Sequence, residues 1–278
     1  MIVQRMNAVC FPHQKTRINQ RKIMPVLNTT GQKIYLADYT WDELDRLPRK
    51  KKLRFLLPLG AIEEHGYHLP LGTDAFQAGK IAELAAQKVS ETIVLPTMSY
   101  GYCVDTMNFC GTIHVSARTI CSLVSDIVAS LYRHGFRKLV VLNFHGGNKG
   151  VVDTALREAV TRLSEPGSLF SDDFEVYQLN AFEKLEKKIK DLLEGNDYGH
   201  ACEIETSVML ELASELVDME LAQEEYMPGG ADTVWRIRDM KKASTSGVHG
   251  APNHASLEKG KKVLEWLVED LAGLLKQI

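Results

Sequence analysis

The 278-residue chain has no large excess of either charge: 33 Lys and Arg oppose 36 Asp and Glu, a formal net charge of −3. That balance supplies no field to collect nucleic acid or an anionic membrane surface. Long apolar runs are missing too; stretches such as Leu139 to Leu142 fall far short of the ~20 residues a membrane-spanning helix needs. The five cysteines (Cys10, Cys103, Cys110, Cys121, Cys202) are odd in number and lack CxxC spacing. This argues against a zinc ribbon or disulfide framework and for reduced thiols in a cytoplasmic protein. No neighbour in sequence marks Cys202 as a nucleophile, although it lies in a polar cluster. Repeats and low-complexity tracts are absent, and 45% hydrophobic with 25% charged residues is an ordinary globular composition. Disordered, collagen-like and coiled-coil chains are thereby excluded.

Acidic residues are missing from the first 37 positions, which carry Arg5, Lys15, Arg17, Arg21, Lys22 and Lys33. The composition is that of an organelle presequence. Pro12 interrupts it, however, and no amphipathic face forms, so an extended start with Met24 as the true beginning fits equally. Residues 1–32 are expected to be a poorly ordered leader, and 33–278 a single domain.

From Ile34 onward, short apolar runs alternate with amphipathic stretches. Strands are predicted at Phe55–Leu59, Thr92–Leu95, Lys138–Leu142 and Phe174–Leu179. Helices are predicted at Asp74–Val89, with Phe76, Ile81, Leu84 and Val89 on its apolar side, and at Ser116–His134, with Ser116 as N-cap. Further helices follow His145-Gly-Gly-Asn and cover Phe182–Leu193, Glu205–Ala213 and Leu257–Leu275. Strand then helix, repeated, predicts an α/β fold whose mostly parallel sheet is covered on both faces. In such sheets ligands bind beyond the carboxyl ends of the strands.

Three polar segments fall at those positions. Glu63-Glu-His-Gly-Tyr-His-Leu-Pro70 follows the first strand, with Asp74 opening the next helix. Residues two apart in extended chain point the same way, about 6.6 Å apart, so Glu63 and His65 can share a pocket while Glu64 points away. Asp74 can bridge two cations, which lie about 3.5–4 Å apart in two-metal sites. His145 ends the third strand, in Asn143-Phe-His-Gly-Gly-Asn148. Gly199-His-Ala-Cys-Glu-Ile-Glu-Thr-Ser207 adds His200, Glu203 and Glu205 ahead of an apolar helix. Each piece has a bland reading: a bonded core histidine, a solvated loop, a phosphate-cradling turn, carboxylates favouring a helix dipole. Only their joint appearance points to a dinuclear metal site.

These motifs resemble those of the creatininase (creatinine amidohydrolase) family. Its hallmark is Glu-x-His-Gly-x-His-Leu-Pro followed by Asp, with Asn-x-His-Gly-Gly-Asn and His-Ala-x-Glu-x-Glu-Thr-Ser further on; Gly111 to Ile113 and Gly247 to Gly250 extend the likeness over roughly 35–275. The resemblance implies a three-layer αβα sandwich, symmetric homo-oligomers (often hexamers), and two divalent ions per subunit, Zn, Mn or Fe. It implies Glu63, His65, Asp74 and His145 as metal ligands, Asp74 being the bridge. The family's further Glu falls on Gly147 here, so Glu205 is the expected fifth ligand and Glu203 the reserve. His200 is expected to be the catalytic proton carrier, and His68 to orient substrate or support a ligand.

The implied reaction is metal-assisted hydrolysis, a metal-bridged hydroxide attacking the carbonyl-type carbon of a small cyclic amide or formamide. Creatininases close their pocket with Trp near the substrate His. Here Asn196, Asp197 and Tyr198 stand before His200, and Thr106 replaces a His that many relatives carry. Asp197 and Tyr198 are therefore expected to bind substrate, and a polyhydroxylated cyclic ketone (keto-inositol) is the alternative. A competing expectation from another class is a non-catalytic nucleotide- or phosphate-binding domain, which has no need of the Glu-x-His…Asp cluster.

Overall fold

A computed structural model describes residues 24–48, 50–163, 173–196, 198–227 and 239–278. Residues 1–23, most of the expected leader, lie outside the described residues. Strands β1 (Arg54–Leu59), β2 (Thr92–Val94), β3 (Lys138–Asn143) and β4 (Glu175–Asn180) pair in parallel, in the order β2-β1-β3-β4. Arg54 faces Thr92 and Lys138, and Lys138 faces Glu175, so the carboxyl ends Leu59, Asn143 and Asn180 share one edge.

Helices α1 (Trp41–Asp45), α2 (Thr73–Lys88), α3 (Ala117–Arg133), α4 (Asn148–Leu163), α5 (Glu186–Lys190), α6 (Glu203–Ala213), α7 (Met240–Ala243) and α8 (Leu257–Gln277) complete the frame. Side chains alternate across β1 and β3. Phe55, Leu57, Leu59, Leu139 and Val141 pack with α3 and α4. Leu56, Val140 and Leu142 pack with α2, α6 and α8 on the other face. The result is a three-layer αβα sandwich. A sheet covered on both faces explains why its two central strands read as unbroken apolar runs.

Element boundaries match the predicted ones to within a few residues, with three instructive differences. Phe76 is exposed (46%), and Ala78, Ile81, Ala82 and Ala85 form the buried face of α2. The helical period puts Phe76 nearly opposite Ala78, and the small alanines suit a helix pressed between β1 and α8. The stretch 182–193 holds only a 3-10 turn (Glu183–Leu185) and the short α5. An antiparallel ribbon of β5 (Tyr198–His200) with β6 (His249–Gly250) was not foreseen; three and two residues are too few to show a period.

Candidate metal centre

Four backbone connections converge at the carboxyl edge of the sheet. The loop after β1 is closed by the Glu63 amide donating to Leu71 O (3.0 Å), which carries Glu63 and His65 over the strand ends. Thr73 Oγ1 donates to Pro70 O (2.8 Å) and starts α2, so Asp74 points back from its first turn. After β3, Asn143 Nδ2 donates to His145 O (2.9 Å) and to Asn180 Oδ1 (3.0 Å), fixing the turn that delivers His145. Asn148 locks this turn to its neighbours, donating to Gly60 O (3.0 Å) and accepting from the Tyr102 amide (2.8 Å). From the other side, Ala201 adopts φ +50°, a left-handed conformation that turns β5 sharply into α6. That turn brings in His200 and Glu205.

Glu63, His65, Asp74, His145 and Glu205 are all buried, and His200 is half-buried beside them. His65 Nε2 lies 3.2 Å from Asp74 Oδ1, while His145 Nδ1 lies 3.4 Å from Asp74 Oδ2 and 2.7 Å from Glu63 Oε1. The two Asp74 oxygens thus face different imidazoles. Donor atoms of His65, Asp74 and Glu205 fall within 4.8 Å of one another, as do those of Glu63, Cys103 and His145, and those of Glu63, His65 and His200.

The imidazoles share a second property. His65 Nδ1 meets Glu63 O at 3.2 Å, His145 Nε2 meets Tyr102 O at 3.0 Å, and His200 Nε2 meets Glu64 O at 2.7 Å. A carbonyl oxygen only accepts, so each of these nitrogens carries a hydrogen and the opposite nitrogen turns toward the carboxylates. This is how proteins orient imidazoles that bind cations. Asp74 Oδ2 and Glu205 Oε2 are buried without a hydrogen-bond donor, a costly arrangement unless a cation meets them. The residues therefore fit divalent metal.

Electrostatics follows the same geometry. Burial alone would depress the His65 imidazole, but adjacent Asp74 lifts it to about 9. Burial likewise opposes charge on His200, yet Glu64 and Glu63 raise it to about 10. Burial would raise the Glu63 carboxyl, but His145 holds it below its ordinary value. Burial dominates at Glu205 and pushes its carboxyl up. Positive charge is drawn to the space between these groups, and protons and metal ions compete for it.

Other residues take clear places. Glu64 turns away from Glu63 and His65, and its Oε1 meets His200 Nε2 from behind at 3.0 Å. Thr106 donates to Glu63 Oε2 at 2.7 Å. Neither contact was foreseen, since only the fold joins these positions. Glu203 is not in the cluster: it is fully buried against Lys259 Nζ (2.6 Å) and accepts from the Glu194 and Gly195 amides. A Cβ at Gly147 would lie 2.3 Å from Tyr102 O and 2.5 Å from His145 Nε2, so no carboxylate can be mounted there. His68, expected against substrate or behind a ligand, is buried and bonded to Thr206 Oγ1 at 2.9 Å. Burial, then repulsion from His65 and His200, holds it down to about 4, and it does not line the cavity among the described residues. Burial pushes the Cys202 thiol up to about 12, which disfavours the thiolate a nucleophile needs. Asp197 and the Tyr198 side chain lie outside the described residues; Tyr198 contributes backbone to β5.

A cavity of about 190 Å³ opens onto the cluster, lined also by Tyr102, Asp105, Thr106, Phe144 and Met240. Among the described residues, no helix is long and apolar enough to cross a membrane.

The chain is 27% identical over 260 residues to the creatinine amidohydrolase of Pseudomonas putida, covering 89% of this chain and 98% of that one. It is 28% identical over 247 residues to 3-dehydro-scyllo-inosose hydrolase of Thermotoga maritima, covering 80% and 76%. A mutant creatininase structure described as Zn-Zn type superimposes with a TM-score of 0.79 at 26% identity over 88% of this chain and 98% of that one; a manganese creatininase, at 25% identity over the same shares, gives 0.78. The family model described as creatinine amidohydrolase matches residues 37–275, and this chain belongs to the creatininase family of hydrolases.

Proposed function

We propose that the protein is a two-metal hydrolase acting on the carbonyl-type carbon of a small cyclic amide or formamide. One observation carries the reading: His65, His145 and His200 each give one N–H to a backbone carbonyl and turn the other nitrogen onto buried carboxylates. Glu63, His65, Asp74, His145 and Glu205 would hold two divalent cations, Zn, Mn or Fe, with Asp74 between them. Bound metal lowers the pKa of water and polarises a carbonyl oxygen.

The chain's own residues do the rest. The Asp74 oxygens, facing His65 and His145, hold the two subsites in one geometry. Thr106 keeps the Glu63 carboxylate from rotating. His200 keeps a proton on Nε2 against Glu64 and turns Nδ1 toward Glu63, 3.9 Å away. From there the Nδ1 side of the imidazolium is placed to give a proton to the leaving atom. Phe144 and Met240 wall the cavity. Asp197 and Tyr198 stand just ahead of His200 in sequence and are assigned to substrate binding.

One observation favours a second substrate class. Asp105 lines the cavity, and its Oδ1 is buried without a donor. A substrate hydroxyl would satisfy it, which suits a polyhydroxylated cyclic ketone, and the Thermotoga maritima relative is named for hydrolysis of an inosose.

The protein is further proposed to act as a homo-oligomer, with a hexamer expected from the family. Exposed Tyr100 and Leu123 line an apolar groove of about 430 Å³ with Ile62, Met98 and Val115, a patch that self-association would cover. The test is metal-loaded protein assayed against creatinine, formamides, lactams and keto-inositols, with metal content and molar mass measured on the same sample. Hydrolysis of an amide or formamide supports the first reading and of a keto-inositol the second. Less than one equivalent of metal, with no turnover after adding Zn or Mn, refutes both.

A further inference from the structure

Cys103 is the unexpected member of the cluster. It is 1% exposed and lines the cavity, and its Sγ, a Glu63 carboxylate oxygen and a His145 nitrogen all lie within 4.8 Å of one another. Its position is fixed through its neighbour. The Tyr102 amide donates to Asn148 Oδ1, and the Tyr102 carbonyl accepts from His145 Nε2. Those two bonds tie the backbone at 102–103 to the turn that carries His145, which keeps the sulfur beside that imidazole.

The two halves of the centre then differ in donor type. His65, Asp74 and Glu205 offer only nitrogen and oxygen, whereas Glu63, His145 and Cys103 add a sulfur. Thiolate favours zinc and similar borderline ions, while oxygen-rich sets suit manganese or magnesium.

We propose that Cys103 is a protein ligand in the Glu63–His145 subsite, giving the centre one sulfur-containing position selective for zinc and one nitrogen–oxygen position tolerant of manganese. The inference rests on the two-metal reading above. On metal entry the thiol loses its proton to solvent and the sulfur lone pair forms the metal–sulfur bond; no electron is transferred. Mounting the sulfur here also offsets the carboxylate that Gly147 cannot carry.

The test uses the full-length protein exchanged into cobalt(II), with total metal measured in parallel. Two equivalents of cobalt and a near-ultraviolet thiolate-to-cobalt charge-transfer band are expected. The band should vanish in Cys103→Ser, which keeps the size of the side chain and replaces sulfur by oxygen. Zinc affinity at one of the two positions should fall about tenfold or more in that variant, with manganese binding changed much less. Should Cys103→Ser fold poorly, Cys103→Ala gives the same readout. Two equivalents of cobalt without the band, or with a band that survives loss of Cys103, overturn the sulfur ligand and leave the two-metal reading standing. Failure of the wild-type protein to take up metal overturns both.

Discussion

Lys259 on α8 reaches across to α6 and supplies a sharp test of what Glu203 does. Its ammonium donates to Glu203 Oε1 (2.6 Å), Glu194 Oε1 (2.5 Å) and His254 O (2.9 Å). Glu203 is fully buried, whereas the Glu194 side chain is 63% exposed and its share is screened. Removing one partner from a buried ion pair costs about 3–5 kcal/mol. Glu203 retains the Glu194 and Gly195 amides as donors, at 3.2 and 3.0 Å, which puts Lys259→Met near the lower end, about 3 kcal/mol. At roughly 2–4 °C per kcal/mol, the thermal midpoint should fall by about 6–12 °C. Burial opposes charge on Lys259, but Glu194 and Glu203 raise its pKa above the ordinary 10.5. A raised ammonium contributes in full below its unfolded value and is lost only as pH rises through the folded one, so the difference in midpoint should stay constant between about pH 6 and 9. The assay is differential scanning calorimetry with metal analysis of the same samples. Lys259→Met and Glu203→Gln should both lower the midpoint and keep full metal content, and Lys259→Met/Glu203→Leu should recover part of the loss. If Glu203→Gln instead lost metal with an unchanged midpoint, Glu203 would be a ligand and this reasoning would fail.

Asp74→Ala should release both metals and abolish turnover, since its two oxygens face the two subsites; full metal content would rule out a bridge. Glu205→Gln should weaken one of the two equivalents more than Glu203→Gln does, and the reverse order in a metal titration would move the ligand. His200→Ala should keep both ions and lose about 10²–10⁴-fold in kcat, read by steady-state kinetics against metal content; near-normal turnover would remove it as proton carrier. Gly247→Ala should lower kcat by about tenfold, less than His200→Ala, with metal unchanged. Gly247 has φ +84°, and a Cβ there would stand 1.9 Å from Glu64 Oε2, pushing the Glu64 carboxylate off His200; unaltered kinetics would show that the Glu64 carbonyl alone holds the imidazole.

Much of the frame was legible because burial on both faces leaves a plain trace. Phe55 to Leu59 and Leu139 to Leu142 are apolar without a break, and Ser116 caps α3 by accepting from the Thr119 amide. The acidic and imidazole groups were legible as types, since each follows a strand or opens a helix. Their supporting partners were not. Thr106 reaches Glu63 across 43 positions, and Lys259 reaches Glu203 across 56; such pairs exist only once the sheet has brought distant segments together. The extended spacing predicts Glu64 to point away, but what lies behind it, His200, comes from a segment 136 residues on. Cys103 gave no signal, because a cysteine outside CxxC spacing looks the same in sequence whether it fills a core or faces an ion.

The most direct measurement is anomalous diffraction at the zinc and manganese edges from crystals of metal-loaded protein. Two peaks are expected, one against His65, Asp74 and Glu205 and the other against Glu63 and His145, with Asp74 between them. A single peak away from these side chains, or none, would contradict the account.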